Sequence, residues 1–227
     1  MSLPNFMCLG AAKSGTTTLF DVLRQHPDVY IPAFKEPHFF DIPENYNNGI
    51  EWYEKNYFRK ADKRIIADFT PSYFFEKEAP KRIFKDIGSK IKFVVLLRNP
   101  VDRAYSHHLH SVRDDHENLS FEESLKQENE RLERYEKNGD YLSYLRNSYF
   151  NQGLYGDMLE RYLEYFTLDN FLFINFEEEF LHERKATIQK ILEFLSIEEE
   201  VELQTNLRSN PASKEKFKFL KKLMKKR

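Results

Sequence analysis

Apolar residues fall in short unbroken runs, separated by stretches where they recur with helical spacing. Phe6-Met7-Cys8-Leu9 contains no polar position, and residues 5–10 read as a buried strand. Leu19, Phe20 and Leu23 then share a face, which predicts a helix from Thr16 to about His26. Residues 27–62 scatter Pro, Asn and Gly among short aromatic pieces. They predict a long connection with little regular structure, a length that usually marks a functional loop. Arg64 to Phe69 reads as a second strand and Ala79 to about Ile87 as a helix. Ile91 to Leu97 is a third buried strand, apolar after Lys92, and it closes on Arg98-Asn99-Pro100. Asn as a cap and Pro at the first helical position predict a helix from Pro100 to about Val112. Ser120-Phe121-Glu122-Glu123 has capping-box form and opens a mostly charged surface helix ending near Asn138. Tyr149 to Phe166 reads as a helix interrupted near its start by Gly153 and Gly156. Asn170 to Asn175 reads as a strand, and Glu183 to Leu195 as an amphipathic helix.

Strands alternating with helices predict an α/β fold of three layers, P-loop-like, with a central mainly parallel sheet flanked by helices. Ligands in such sheets bind beyond the carboxyl ends of the strands. The 227 residues fit a single domain, with 41% hydrophobic and 15% aromatic content arguing against disorder. Residues 1–4 carry no fold signal and fit a tag remnant. No stretch reaches the ~20 apolar residues of a membrane span, and no signal peptide precedes the first strand. The single cysteine, Cys8, lies in an apolar run, so a buried inert thiol and a cytoplasmic, reducing setting are expected. The formal charge of −2 hides an asymmetry. Residues 214–227 hold eight basic residues and one acid and read as a basic C-terminal helix, which leaves 27 basic and 36 acidic residues, near −9, in the rest. A body this acidic argues against general nucleic-acid binding.

The chemistry concentrates after the first strand. Gly10-Ala11-Ala12-Lys13-Ser14-Gly15-Thr16-Thr17-Thr18 has the two-glycine spacing of a phosphate loop. A Walker loop places lysine directly after the second glycine; here Thr16 stands there and Lys13 has moved inside the loop. Successive amides entering a helix form an anion nest, and Lys13 adds a full charge beside it. Beyond the third strand, Arg98 stands where a nucleotide triphosphatase would place a magnesium-organising aspartate. A guanidinium forks onto phosphate instead, and Ser106, seven residues past Asn99, shares a helical face with it. Lys35-Glu36-Pro37-His38-Phe39-Phe40-Asp41 places Glu36 and His38 two apart in an extended pre-proline segment, pointing to one side. Next to an apolar pair, Glu36 is expected to bind protons more tightly than usual and to act as a general base. His107 and His110 share a face, but no second ligand pair completes a metal site. These histidines read as cleft lining or surface, and Asp114-Asp115-His116-Glu117 as a solvated loop. On the residues alone, a P-loop kinase and a non-catalytic anion-binding module remain open.

Together these segments resemble the sulfotransferases that use 3′-phosphoadenosine 5′-phosphosulfate (PAPS). The resemblance covers about residues 5–196, and the Lys-Glu-x-His-Phe-Phe segment is most similar to heparan-type glucosaminyl sulfotransferases and their bacterial relatives. It implies that Lys13, Ser14, Gly15, Thr16, Thr17 and Thr18 seat the 5′-phosphosulfate and that Arg98 and Ser106 hold the 3′-phosphate. It implies Glu36 as base, His38 as its assistant, and no metal. The acceptor then carries a hydroxyl or, second, an amine, and is a small molecule, carbohydrate, lipid or carrier-bound chain. Asp68-Phe69-Thr70-Pro71-Ser72-Tyr73-Phe74 resembles the family's Glu-Lys-x-Pro-x-Tyr-Phe element. Gly153-Leu154-Tyr155 and Phe171 to Glu177 also match in order, and Tyr155 is expected near the cofactor. Phe69 stands where many relatives have lysine, so Lys13 is expected to carry the electrostatics alone. No Lys-Gly-Arg-type closing loop follows Leu195; either 208–214 replaces it or the segment is missing.

Overall fold

A computed structural model of the chain describes residues 2–197 and 201–207. The basic helix expected over 214–227 and the 208–214 stretch lie outside the described residues. In chain order come β1 (Phe6–Gly10), α1 (Thr16–Leu23), β2 (Val29–Tyr30), α2 (Pro43–Tyr46), α3 (Ile50–Tyr53), β3 (Ile65–Asp68) and α4 (Ala79–Asp86). They are followed by β4 (Lys92–Leu97), α5 (Pro100–Arg113), α6 (Phe121–Asn138), α7 (Tyr141–Asn147), α8 (Tyr155–Leu163), β5 (Phe171–Asn175) and α9 (Arg184–Leu195).

The described strands form one parallel sheet in the order β2-β3-β1-β4-β5. The unbroken apolar runs of β1 and β4 follow from burial on both faces. Phe6 and Cys8 of β1 join Val94 and Leu96 of β4 in a core with α1 and α9. Met7 and Leu9 join Phe93 and Val95 in a second, aromatic core with α4 and α8. Complete burial pushes the Cys8 thiol up to about 12, which keeps it protonated and inert, as its strand position implied. The chain runs outward from β1 in both directions along the sheet. The crevice beside the carboxyl ends of β1 and β4 is therefore the topological switch point where ligands settle.

Several segments depart from the sequence expectation. The 27–62 connection holds the two-residue edge strand β2, the short helices α2 and α3, and a π-helical turn over Glu54–Phe58. An aromatic cluster fixes it; the Phe39 and Tyr53 rings stack 4.4 Å apart. The helix expected from Tyr149 begins only at Tyr155. Glu128 of α6 takes the Phe150 and Asn151 amides at 2.7 and 2.9 Å, which diverts the chain into a 3₁₀ turn over Asn151–Gly153. That carboxylate is buried, so α6 is a surface helix with one anchored face. The Asp114 to Glu117 stretch is also not wholly solvated. Glu117 is buried, paired with Arg131 at 2.8 Å and accepting from the Tyr149 hydroxyl at 3.0 Å.

Candidate active site

The loop after β1 is pinned at both ends. The Ala11 amide donates to the Leu96 carbonyl at 2.9 Å, and the Ser14 amide to Ala11 at 3.1 Å. Lys13 and Gly15 both have positive φ, 69° and 85°, and turn the chain into α1. Gly15 provides no side chain to cap that helix, so α1 begins without a side-chain acceptor. Asn99, by contrast, caps α5 by accepting from Val101 at 3.0 Å and Asp102 at 3.3 Å, as its position predicted. An open helix N-terminus of this kind suits an anion. The Ser14 hydroxyl beside it is fully buried and has no partner among the described residues. Thr16 and Thr18 are buried, while Lys13 and Thr17 stand half-buried at the lip. Burial, reinforced by the charge of Arg113, lowers the Lys13 ammonium to about 8.

Arg98 leaves the carboxyl end of β4 and donates to the Lys13 carbonyl at 2.8 Å. Its guanidinium lies over the Phe176 ring, 5.2 Å from the centroid. Its Nε is buried and unpartnered among the described residues, and burial lowers its affinity for a proton. The arginine thus braces the loop while keeping donor capacity for an anion. Tyr155 donates its hydroxyl to the Arg98 carbonyl at 2.9 Å, so it supports this corner from behind. Ser106 is half-buried two turns into α5. Arg103 is fully buried and donates to the Tyr149 carbonyl, a scaffold role. His107 and His108 are buried against Tyr149, which corrects the surface reading. His110 remains half-exposed, 3.4 Å from Asp114.

The Lys35 to Asp41 segment carries the largest departure. It is not extended: Glu36 and His38 have φ of 65° and 52°, the left-handed region that costs L-residues energy. The turn is held by tertiary bonds. The Phe39 amide donates to the Tyr73 hydroxyl at 2.9 Å, and Asn45 donates to the His38 carbonyl at 2.8 Å. Glu36 and His38 still meet, with Nε2 3.6 Å from Oε2. His38 Nδ1 lies 2.7 Å from the buried carboxylate of Asp41, which also accepts from Ser72. Burial alone would lower the His38 imidazolium, but the hydrogen bonds to Asp41 and Glu36 prevail and raise it to about 10. Burial alone would raise Glu36, but His38 and Lys35 outweigh it and hold the carboxyl at about 2. The expected tight proton binding at Glu36 is therefore reversed, because two cations face it.

Two participants lie at the ends of this segment, and the sequence assigned them no role. Lys35 Nζ sits 2.5 Å from Glu36 Oε1 and 3.2 Å from Thr17 Oγ1, bridging the segment to α1. Asp41 is the third member of the Glu36–His38 row; its spacing three residues after His38 was the available signal. Behind them, buried Asp68 accepts from Tyr53 and Thr70, both at 2.5 Å, and from Tyr73 at 3.1 Å. Burial pushes its carboxyl up to about 6. Tyr73 links this network to the Phe39 amide and so to the site.

The parallel sheet carries the glycine turn into α1 and the arginine beyond β4 at one end, the arrangement of an α/β protein with a candidate anion site. A family model described as Sulfotransferase domain matches residues 3–226, and the chain belongs to the sulfotransferase family. It is 31% identical over 205 residues to heparan sulfate glucosamine 3-O-sulfotransferase 5 of Homo sapiens, covering 86% of this chain and 54% of that protein. It is 33% identical to the 3-O-sulfotransferase 6 of the same organism, covering 86% and 52%. The chain thus spans about half the length of the curated relatives it matches. A crystal structure of a sulfotransferase from Alicyclobacillus acidocaldarius superimposes with a TM-score of 0.80 and 32% identity, over 97% of this chain and 92% of that one. A sulfotransferase domain from the curacin biosynthetic pathway, 14% identical with a TM-score of 0.56, shares the fold.

Proposed function

We propose that this chain transfers a sulfuryl group from PAPS to an acceptor hydroxyl, with an amine as the second choice. Bound PAPS supplies a sulfuryl group activated by its phosphate leaving group. The fit is supported by the Ser14 hydroxyl and the Arg98 Nε, which have no partner among the described residues, and by the lack of a side-chain cap at Gly15; acceptor oxygens would satisfy all three. Lys13, Ser14, Gly15 and Thr16 to Thr18 would hold the 5′-phosphosulfate; Arg98 and Ser106 would hold the 3′-phosphate. Glu36 takes the proton from the acceptor hydroxyl as that oxygen attacks sulfur. Lys13 and the first amides of α1 stabilise the electron pair left on the phosphate oxygen. His38, held by Asp41, fixes the Glu36 carboxylate in place.

The observation that carries this reading is the convergence of Glu36, Lys35 and Thr17: a carboxylate reaches the mouth of the phosphate loop through one bridging ammonium. A P-loop kinase is disfavoured by Arg98 at the end of β4, since a cation there cannot hold magnesium. The named relatives act on a glucosamine of heparan sulfate, which supports a carbohydrate acceptor. The acidic body favours a carbohydrate of low charge. The test is transfer of labelled sulfate from PAPS to a panel of glucosamine-containing oligosaccharides and simple alcohols. Sulfate esters are expected, with Glu36→Gln and Lys13→Ala each slowing turnover by ~10²–10³ while folding is kept. Normal turnover in either variant removes that residue from the mechanism.

A further inference from the structure

The ammonium of Lys35 has three N–H donors, and two of them are accounted for. One meets Glu36 Oε1 at 2.5 Å and one meets Thr17 Oγ1 at 3.2 Å. Among the described residues no third partner is present. Thr17 is the second residue of α1, at the open helix end where the phosphate loop presents its amides. The lysine side chain is only 19% exposed, so its charge acts in a partly desolvated cleft rather than in bulk water. No cation can come from the strand behind it. Phe69, which follows Asp68, is buried edge-on between Phe6 and Phe20, with ring centroids 5.8 and 5.6 Å away.

We propose that Lys35 is the second cation of the site, a residue that binds the sulfuryl end of the donor and ties it to the Glu36 carboxylate. The proposal rests on the reading of the chain as a PAPS-dependent sulfotransferase and gives Lys35, the first residue of the Lys-Glu-x-His-Phe-Phe segment, a role that the sequence left unassigned. Lys13 would meet a bound donor from the phosphate loop and Lys35 from the Glu36 segment, which the Thr17 hydroxyl joins to α1. The free third N–H of Lys35 then meets an oxygen present on PAPS and missing from adenosine 3′,5′-diphosphate, the product that has lost the sulfuryl group. Lys35 therefore distinguishes donor from spent product, and it does so on the residue that also holds the base.

The difference between two ligands reads this out without turnover. PAPS and adenosine 3′,5′-diphosphate are titrated separately into the full chain by calorimetry, with no acceptor present. Lys35→Met is expected to weaken PAPS about tenfold or more, the size of one charge-assisted hydrogen bond, and to leave the diphosphate within about twofold. A merely structural role would weaken both ligands alike. Equal losses, or no loss for PAPS, overturn the proposal. If Lys35→Met does not fold, Lys35→Gln keeps a polar stem and is judged by the same comparison. A wild-type chain that binds neither ligand overturns the sulfotransferase reading itself, an outcome distinct from a wild type that binds both and a variant that loses both equally.

Discussion

At the scale of single residues, the site is a row of alternating charges: Lys35, Glu36, His38, Asp41. The row makes Glu36 a weaker base than its apolar neighbours suggested, so its effectiveness rests on placement rather than on basicity. It also ties stability to pH. His38 titrates at about 10 in the fold against 6.5 ordinarily, so its contribution is full below pH 6.5 and fades as pH rises towards 10. Glu36 titrates at about 2 against 4.5, so its contribution is full above pH 4.5 and is lost as pH falls towards 2. The row is therefore most stabilising between those limits. His38→Gln is expected to lower the melting temperature more near pH 6 than near pH 9; a deficit independent of pH contradicts the charged row. The residues of the candidate site were partly legible in the sequence: Glu36 and His38 meet as their spacing suggested, and Arg98 reaches the Lys13 carbonyl of the loop. The sign of the Glu36 shift was not. Proton affinity depends on what lies within a few ångströms, and Lys35 and the turned-back His38 reach Glu36 only through two left-handed residues fastened by Tyr73 and Asn45.

At the scale of elements, the turn from β1 into α1 has a steric requirement. A Cβ at Gly15 would lie 2.9 Å from both the Phe176 and the Phe180 ring, on a backbone with φ of 85°. Gly88 offers a control: its φ is 93°, and a Cβ there meets nothing within 4 Å. Gly88→Ala is expected to cost about 1 kcal/mol for the left-handed backbone alone. Gly15→Ala adds overpacking of about 1–3 kcal/mol and should displace the loop amides from their anion-binding arrangement. Urea unfolding of both variants measures the difference; equal midpoints contradict the packed turn. The strands flanking this turn were readable because burial on both faces leaves an unbroken apolar run, and the caps of α5 and α6 were readable because capping is local chemistry. Elements set by distant contacts were not. β2 exists through two residues paired to β3, and the start of α8 is set by Glu128, more than twenty residues upstream.

At the scale of the whole molecule, an acidic chain gathers its site cations at one place. Lys13 and Arg98 stand beyond β1 and β4, and Lys35 and His38 lie in the β2–β3 connection beside their partners Glu36 and Asp41, so the cations outnumber the carboxylates there on a body of opposite sign. The sheet order places both phosphate-binding candidates at the same end, which is why strand–helix alternation was enough to bring them together in the sequence reading. The central claim is that one adenosine nucleotide is held at two anionic points, the loop at Lys13 to Thr18 and the guanidinium of Arg98. Calorimetry with adenosine 3′,5′-diphosphate and with AMP, on the wild type and on Arg98→Ala, tests it most directly. The account predicts that the wild type binds the diphosphate more tightly than AMP and that Arg98→Ala removes most of that preference, by about tenfold or more. No uptake of the diphosphate by the folded wild-type chain, or an equal loss for both nucleotides in the variant, would contradict it.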